Sequence, residues 1–191
     1  MNTRMLPREL SISWLREMYQ NNVWSPEEVV NEIINRAAED AEMNIWITLP
    51  SMKMIQPYLD RLKLLDKGQA PLWGIPFAIK DNIDLAHVPT TAGCPDFEYT
   101  PTEHATVVER LIEAGAIPVG KANLDQFATG LVGVRSPYGE TKKRLAWRTD
   151  QRGFKLRFRS CCSARSCSFR SGDGYCGVGT CTGCLEQACR L

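Results

Sequence analysis

At 191 residues, 43% of them apolar and with a formal net charge of +1, the chain is long enough for one domain with a real core. That near-neutral balance argues against a nucleic-acid partner, yet it averages two unlike parts. Residues 1–143 carry 14 Lys/Arg against 19 Asp/Glu, and residues 144–191 carry 9 against 3. Cysteine divides the same way: Cys94 stands alone in the first part and the other seven lie between Cys161 and Cys189. The N-terminus lacks the apolar h-region of a secretory signal. No stretch approaches the roughly 18 uncharged apolar residues of a membrane span. A lone cysteine over 1–143 fits a reducing, cytoplasmic setting. The expectation is a domain over 1–143 followed by a different kind of tail over 144–191.

In chain order, the spacing predicts a first helix over 12–19. Ser25-Pro26-Glu27-Glu28 forms a capping box with proline at the first helical position. Val29, Ile33, Ile34, Ala37 and Ala38 carry that second helix on and leave Glu32, Arg36 and Glu39 to solvent. A third apolar-periodic run covers 55–65, with Gly68 as a left-handed stop behind it. After Pro71 the period drops to two: Ile75, Phe77 and Ile79 alternate with Ala78 and Lys80, a strand. An irregular loop over 82–91 follows. Residues 105–114 are amphipathic and end at Gly115, and 116–120 form a short buried strand. Strand, helix and strand at this spacing make a βαβ unit, hence a parallel sheet that needs cover on both faces and an α/β class. Asp81 and Asp84 suit turn caps better than a metal pair. His87 and His104 are too few and too separate for a metal site or a triad.

Four blocks go further. They are Gly74-Ile75-Pro76-Phe77-Ala78-Ile79-Lys80-Asp81-Asn82, Thr90-Thr91-Ala92-Gly93-Cys94-Pro95, Ala105-Thr106-Val107-Val108-Glu109-Arg110-Leu111, and Gly120-Lys121-Ala122-Asn123-Leu124-Asp125-Gln126-Phe127. In that order they resemble the amidase-signature family, and the segment 128–139 is similar to its allophanate hydrolase branch. The resemblance implies a truncated amidase-signature fold, a mixed or parallel sheet covered by helices. It implies hydrolysis of a small-molecule amide, urea-1-carboxylate, to ammonia and carbon dioxide. Neither metal nor organic cofactor is implied, nor a nucleic-acid or membrane partner; the intact family would form a homodimer. Another amidase of the family, or the amidase subunit of a transamidosome, is the alternative.

The catalytic set implied is Ser–cis-Ser–Lys, and the family lysine falls on Lys80. An ammonium with pKa about 10.4 in water cannot accept a proton, so its site must favour the neutral amine. Burial on a strand among Phe77, Ala78 and Ile79 would do so. The amine would then draw a proton through a bridging serine from the nucleophile, while backbone N–H groups hold the oxyanion for about 3–4 kcal/mol per donor. Gly130 either lines the substrate pocket, as that segment does in the family, or forms a tight turn.

The family pattern stops after Tyr138-Gly139, where a Gly-Gly-Ser-Ser stretch and then the nucleophile are expected. The Arg- and Cys-rich run that stands there has a plain reading, a disordered basic tail. It also has a zinc reading, since Cys176, Cys181, Cys184 and Cys189 include one C-x-x-C pair. The flanking spacings are loose, however, no histidine helps and three cysteines are left over. A one-base shift of frame near residue 143 accounts for more. Under synonymous codons the shifted frame can read SGGSSSGSA over 151–159, and the nucleophile then falls at Val178. As written, the chain keeps Lys80 and loses both serines, which predicts an inactive product whose sheet lacks its later strands.

Overall fold

A computed structural model of the chain describes residues 6, 7, 10–130 and 134–142. The tail readings, including the zinc cysteines and Val178, lie outside the described residues. Among the described residues, four α-helices, α1 (Ile12–Gln20), α2 (Pro26–Glu39), α3 (Met52–Leu62) and α4 (Thr106–Glu113), accompany three strands, β1 (Trp46–Thr48), β2 (Pro76–Lys80) and β3 (Ile117–Ala122). The strands form one mixed sheet in the order β1-β3-β2. β2 and β3 run parallel and α4 lies on the crossover between them, as the βαβ spacing requires; β1 pairs antiparallel with β3. β1 was not anticipated.

Local chemistry explains most element ends. The capping box at Ser25 is complete: Ser25 N donates to Glu28 Oε2 (2.7 Å) and Glu28 N to Ser25 Oγ (3.2 Å). Helix α2 then buries Val29, Val30 and Ile33 fully. Each such side chain contributes about 1.5–3 kcal/mol relative to exposure. α1 is tied to the start of β2 by the Tyr19 hydroxyl, which donates to Gly74 O at 2.9 Å. α3 and α4 both pack on β3, and α2 packs on α3, so the core sits between the sheet and the helices.

Three expectations need correcting. Arg36 is buried, 6% exposed, rather than solvated. Its guanidinium donates to Leu6 O (2.8 Å), Pro7 O (3.1 Å) and Glu32 Oε1 (2.8 Å), so paired hydrogen bonds offset the cost of burying the charge. The third helix begins at Met52 and ends at Leu62, leaving Leu64 87% exposed. There the chain tightens into i→i+3 bonds, with Lys63 N on Asp60 O and Leu64 N on Arg61 O. Gly68 is not left-handed; among the described residues the left-handed glycines are Gly74 (φ 74°), Gly93, Gly115 (φ 90°) and Gly139. Gly74 and Gly115 face each other, with Gly74 N donating to Gly115 O at 2.9 Å, and they turn the chain into the two parallel strands.

The parallel ladder contains one irregularity. Phe77 pairs with Pro118 and Ala78 with Gly120, so the register skips Val119. Pro118 has no N–H to give the ladder, and a bulge beside it is the usual accommodation. Past the bulge, Ile79 pairs with Lys121 and Lys80 with Ala122.

Candidate active site

The carboxyl ends of β2 and β3 lie side by side, the position at which open α/β sheets receive their ligands. Lys80 is the last residue of β2 and is 8% exposed. Lys121, second from the end of β3, is the largest fully buried side chain among the described residues. Because side chains alternate along a strand, and Lys121 is level with Ile79, the two lysines leave opposite faces of the sheet.

Asp81 follows Lys80 and turns to the Lys121 face. Lys121 Nζ lies 3.5 Å from Asp81 Oδ1, and both side chains are fully buried. Nζ also donates to Pro89 O (3.1 Å) and to Thr90 Oγ1. The other carboxylate oxygen, Asp81 Oδ2, accepts from Thr91 N (3.0 Å) and Thr91 Oγ1 (2.6 Å). Burial pushes the Lys121 amine below the ordinary lysine range, and the Asp81 carboxylate opposes that shift. The pair thus closes the ends of the 82–91 loop onto the sheet.

Asp84 pins the same loop from outside, accepting from Thr90 Oγ1 and the Tyr99 hydroxyl, each at 2.8 Å. Both aspartates therefore serve the turn. His104 Nδ1 accepts from Ala86 N at 3.0 Å, and its ring lies against Tyr58; burial lowers its pKa. Among the described residues no group of three or more His, Cys, Asp or Glu could hold a metal. Cys94 is half-buried and free.

A second loop layer joins Asp81, just past the end of β2, to the segment that leads into Gly130. Ala92 N donates to Asp81 O (3.3 Å), and Phe127 N to Ala92 O (2.8 Å). Phe127 and Ala128 both have positive φ, 50° and 56°, a conformation that costs a non-glycine residue free energy and clusters at functional sites. Gly130 is packed on Asp125: a Cβ there would lie 2.5 Å from the Asp125 carboxylate. That carboxylate accepts from Arg135 N at 2.8 Å. Asn123 Nδ2 donates to Asn44 O (2.9 Å) and Gly139 O (3.0 Å), fastening the 134–142 segment beside β1. Lys121, Asn123 and Asp125 were quoted within a sequence block without a role. For the first, the signal appears only with the strand register, which sets Lys121 level with Ile79 and beside Asp81.

The amidase family profile matches residues 28–147, and the chain belongs to that family. Within it, the chain is 56% identical over 99 residues to the urea amidolyase of Saccharomyces cerevisiae, covering 51% of this chain and 5% of that protein. It is 64% identical over 76 residues to the urea amidolyase of Lachancea kluyveri, covering 40% of this chain and 4% of that protein. A serine-to-alanine form of Kluyveromyces lactis allophanate hydrolase superposes with TM-score 0.68 at 34% identity, over 85% of this chain and 26% of that one. The chain thus spans only a small part of the proteins it resembles. No helix among the described residues is long and apolar enough to cross a membrane.

Proposed function

We propose that this chain carries the lysine-bearing front part of an allophanate hydrolase-like amidase site, with Lys80 as its proton acceptor. The observation that carries the reading is the burial of Lys80 at the carboxyl end of β2, inside the family match. A neutral amine there would take the nucleophile's proton through a bridging serine as the nucleophile attacks an amide carbonyl. The likeness to two urea amidolyases and to an allophanate hydrolase supports urea-1-carboxylate (allophanate) as the substrate. A glutamyl-tRNA(Gln) amidotransferase chain of Lawsonia intracellularis, 36% identical over 138 residues, supports the transamidosome alternative less well. Gly130 belongs to the substrate pocket in this reading, supported by the strained turn it follows. A cytoplasmic setting and a homodimeric intact enzyme are part of the same proposal.

In this reading residues 1–143 are amidase domain and 144–191 come from a shifted frame, so the chain as written hydrolyses nothing. The test is ammonia release from urea-1-carboxylate by the chain as written and by the gene with one base removed within codons 141–143 and read onward. The corrected protein is expected to be active, and Lys80→Met to lower its kcat about 10²–10⁴-fold. Equal activity in the uncorrected chain, or turnover indifferent to Lys80→Met, overturns the reading.

A further inference from the structure

A carboxylate next in sequence to a lysine that must act as a base is an electrostatic hazard. An ion pair between the two would hold the lysine as ammonium and leave it nothing to accept a proton with. In this fold the hazard is removed by geometry. Asp81 is drawn to the far face of the sheet, where Lys121 Nζ stands 3.5 Å from one of its oxygens and Thr91 occupies the other twice. Lys121 in turn is committed to that face by Pro89 O and Thr90 Oγ1. We propose that Lys121 is a positioning residue for Lys80: it holds the Asp81 carboxylate away from the Lys80 amine and supplies the counter-charge that Lys80 would otherwise be recruited to supply.

The inference rests on the reading of Lys80 as the base, but it concerns a coupling between three side chains that exists without turnover. Remove the Lys121 ammonium, and Asp81 becomes a buried carboxylate held only by Thr91. The adjacent cation is Lys80, one residue back along the chain. Pairing with it satisfies the carboxylate and keeps the Lys80 proton in place. Arginine at 121 preserves the charge, and removing both members of the pair takes away the carboxylate that would recruit Lys80.

The experiment is a pH titration of the full chain carrying lysine labelled with ¹³C at the ε carbon. The Lys80 signal is assigned by its loss in Lys80→Arg, and folding is checked by circular dichroism. In Lys121→Met the Lys80 titration is expected to move to higher pH, the neutral fraction at a fixed pH falling about tenfold. Lys121→Arg and the double variant Asp81→Asn/Lys121→Met should titrate close to the parent. A folded Lys121→Met protein whose Lys80 titrates like the parent overturns the proposal. So does a shift of the same size in the double variant, since that would be a structural effect of the lost lysine alone. If Lys121→Met does not fold, the contrast between Asp81→Asn/Lys121→Met and Asp81→Asn decides. Those two are expected to agree, and a tenfold difference between them refutes the coupling. Activity of the corrected enzyme with Lys80→Met tests the base assignment separately, so either idea can fail alone.

Discussion

Gly120 sits in the central strand where β1 crosses closest, and its role is steric rather than conformational. A Cβ at that position would lie 2.8 Å from Thr48 O and 3.0 Å from two carbons of the Trp46 ring. The carbonyl belongs to a strand backbone and cannot swing aside as the end of a long side chain would. Gly120→Ala must therefore push β1 off β3 or bend the sheet. Overpacking of this kind costs typically about 1–3 kcal/mol, which at the middle of that range lowers Tm by about 4–8 °C for a domain of this size. Gly68→Ala is the control. A Cβ there would meet only Asp66 Oδ1, at 3.6 Å, and its φ lies outside the left-handed region. It should be neutral or stabilise by about 0.4–1 kcal/mol through the unfolded chain. Thermal and urea unfolding followed by circular dichroism, with tryptophan emission as a report on Trp46, compares the two. If both substitutions shift Tm alike, the close approach of β1 to β3 is wrong.

Three further outcomes follow from the contacts described. His104, whose pKa is depressed by burial below the ordinary 6.5, stays unprotonated in the fold at a pH where the unfolded chain already binds the proton. Its contribution is thus present above 6.5 and lost as pH falls through the lowered folded value; urea midpoints between pH 7 and 5 should fall less steeply in His104→Phe, and an unchanged slope would refute this. Arg36→Met leaves Leu6 O and Pro7 O without their donor and should cost about 2–4 kcal/mol, with faster proteolysis of the N-terminal segment; Arg36→Lys should not restore it, because an ammonium lacks the guanidinium's fork. Gly130→Ala drives a methyl into the Asp125 carboxylate, so amide exchange at Arg135 should quicken while β2 and β3 keep their protection; protected Arg135 exchange would count against the packing described.

What could be read in the sequence was what is local. The Ser25 capping box, the helix end at Gly115 and the βαβ unit all depend on residues within a turn or one crossover of each other, whereas the left-handed stop was expected at Gly68 and stands at Gly115 instead. Lys80 became legible through family blocks, because a lone lysine at a strand end carries no such signal. β1 was hidden: three residues, Trp46–Thr48, find their partner only at Lys121 and Ala122, and no periodicity survives in so short a run. Arg36 was misread because, besides Glu32, it donates to the backbone carbonyls of Leu6 and Pro7, which no side-chain pattern displays. Lys121 was in view without meaning until the parallel register placed it level with Ile79, and so beside Asp81. The site is visible in sequence as separate words, and only strand pairing shows which of them are neighbours.

The order β1-β3-β2 also fixes a schedule. The middle strand is the last of the three to be made, so neither β1 nor β2 has a neighbour until Ile117–Ala122 has left the ribosome. At about 5–20 residues per second, the stretch from Asp81 to Ala116 alone takes roughly 2–7 s to synthesise. Throughout that interval Phe77 and Ile79 wait without a sheet to join, and a nascent chain paused within the crossover is one that chaperones should be found holding.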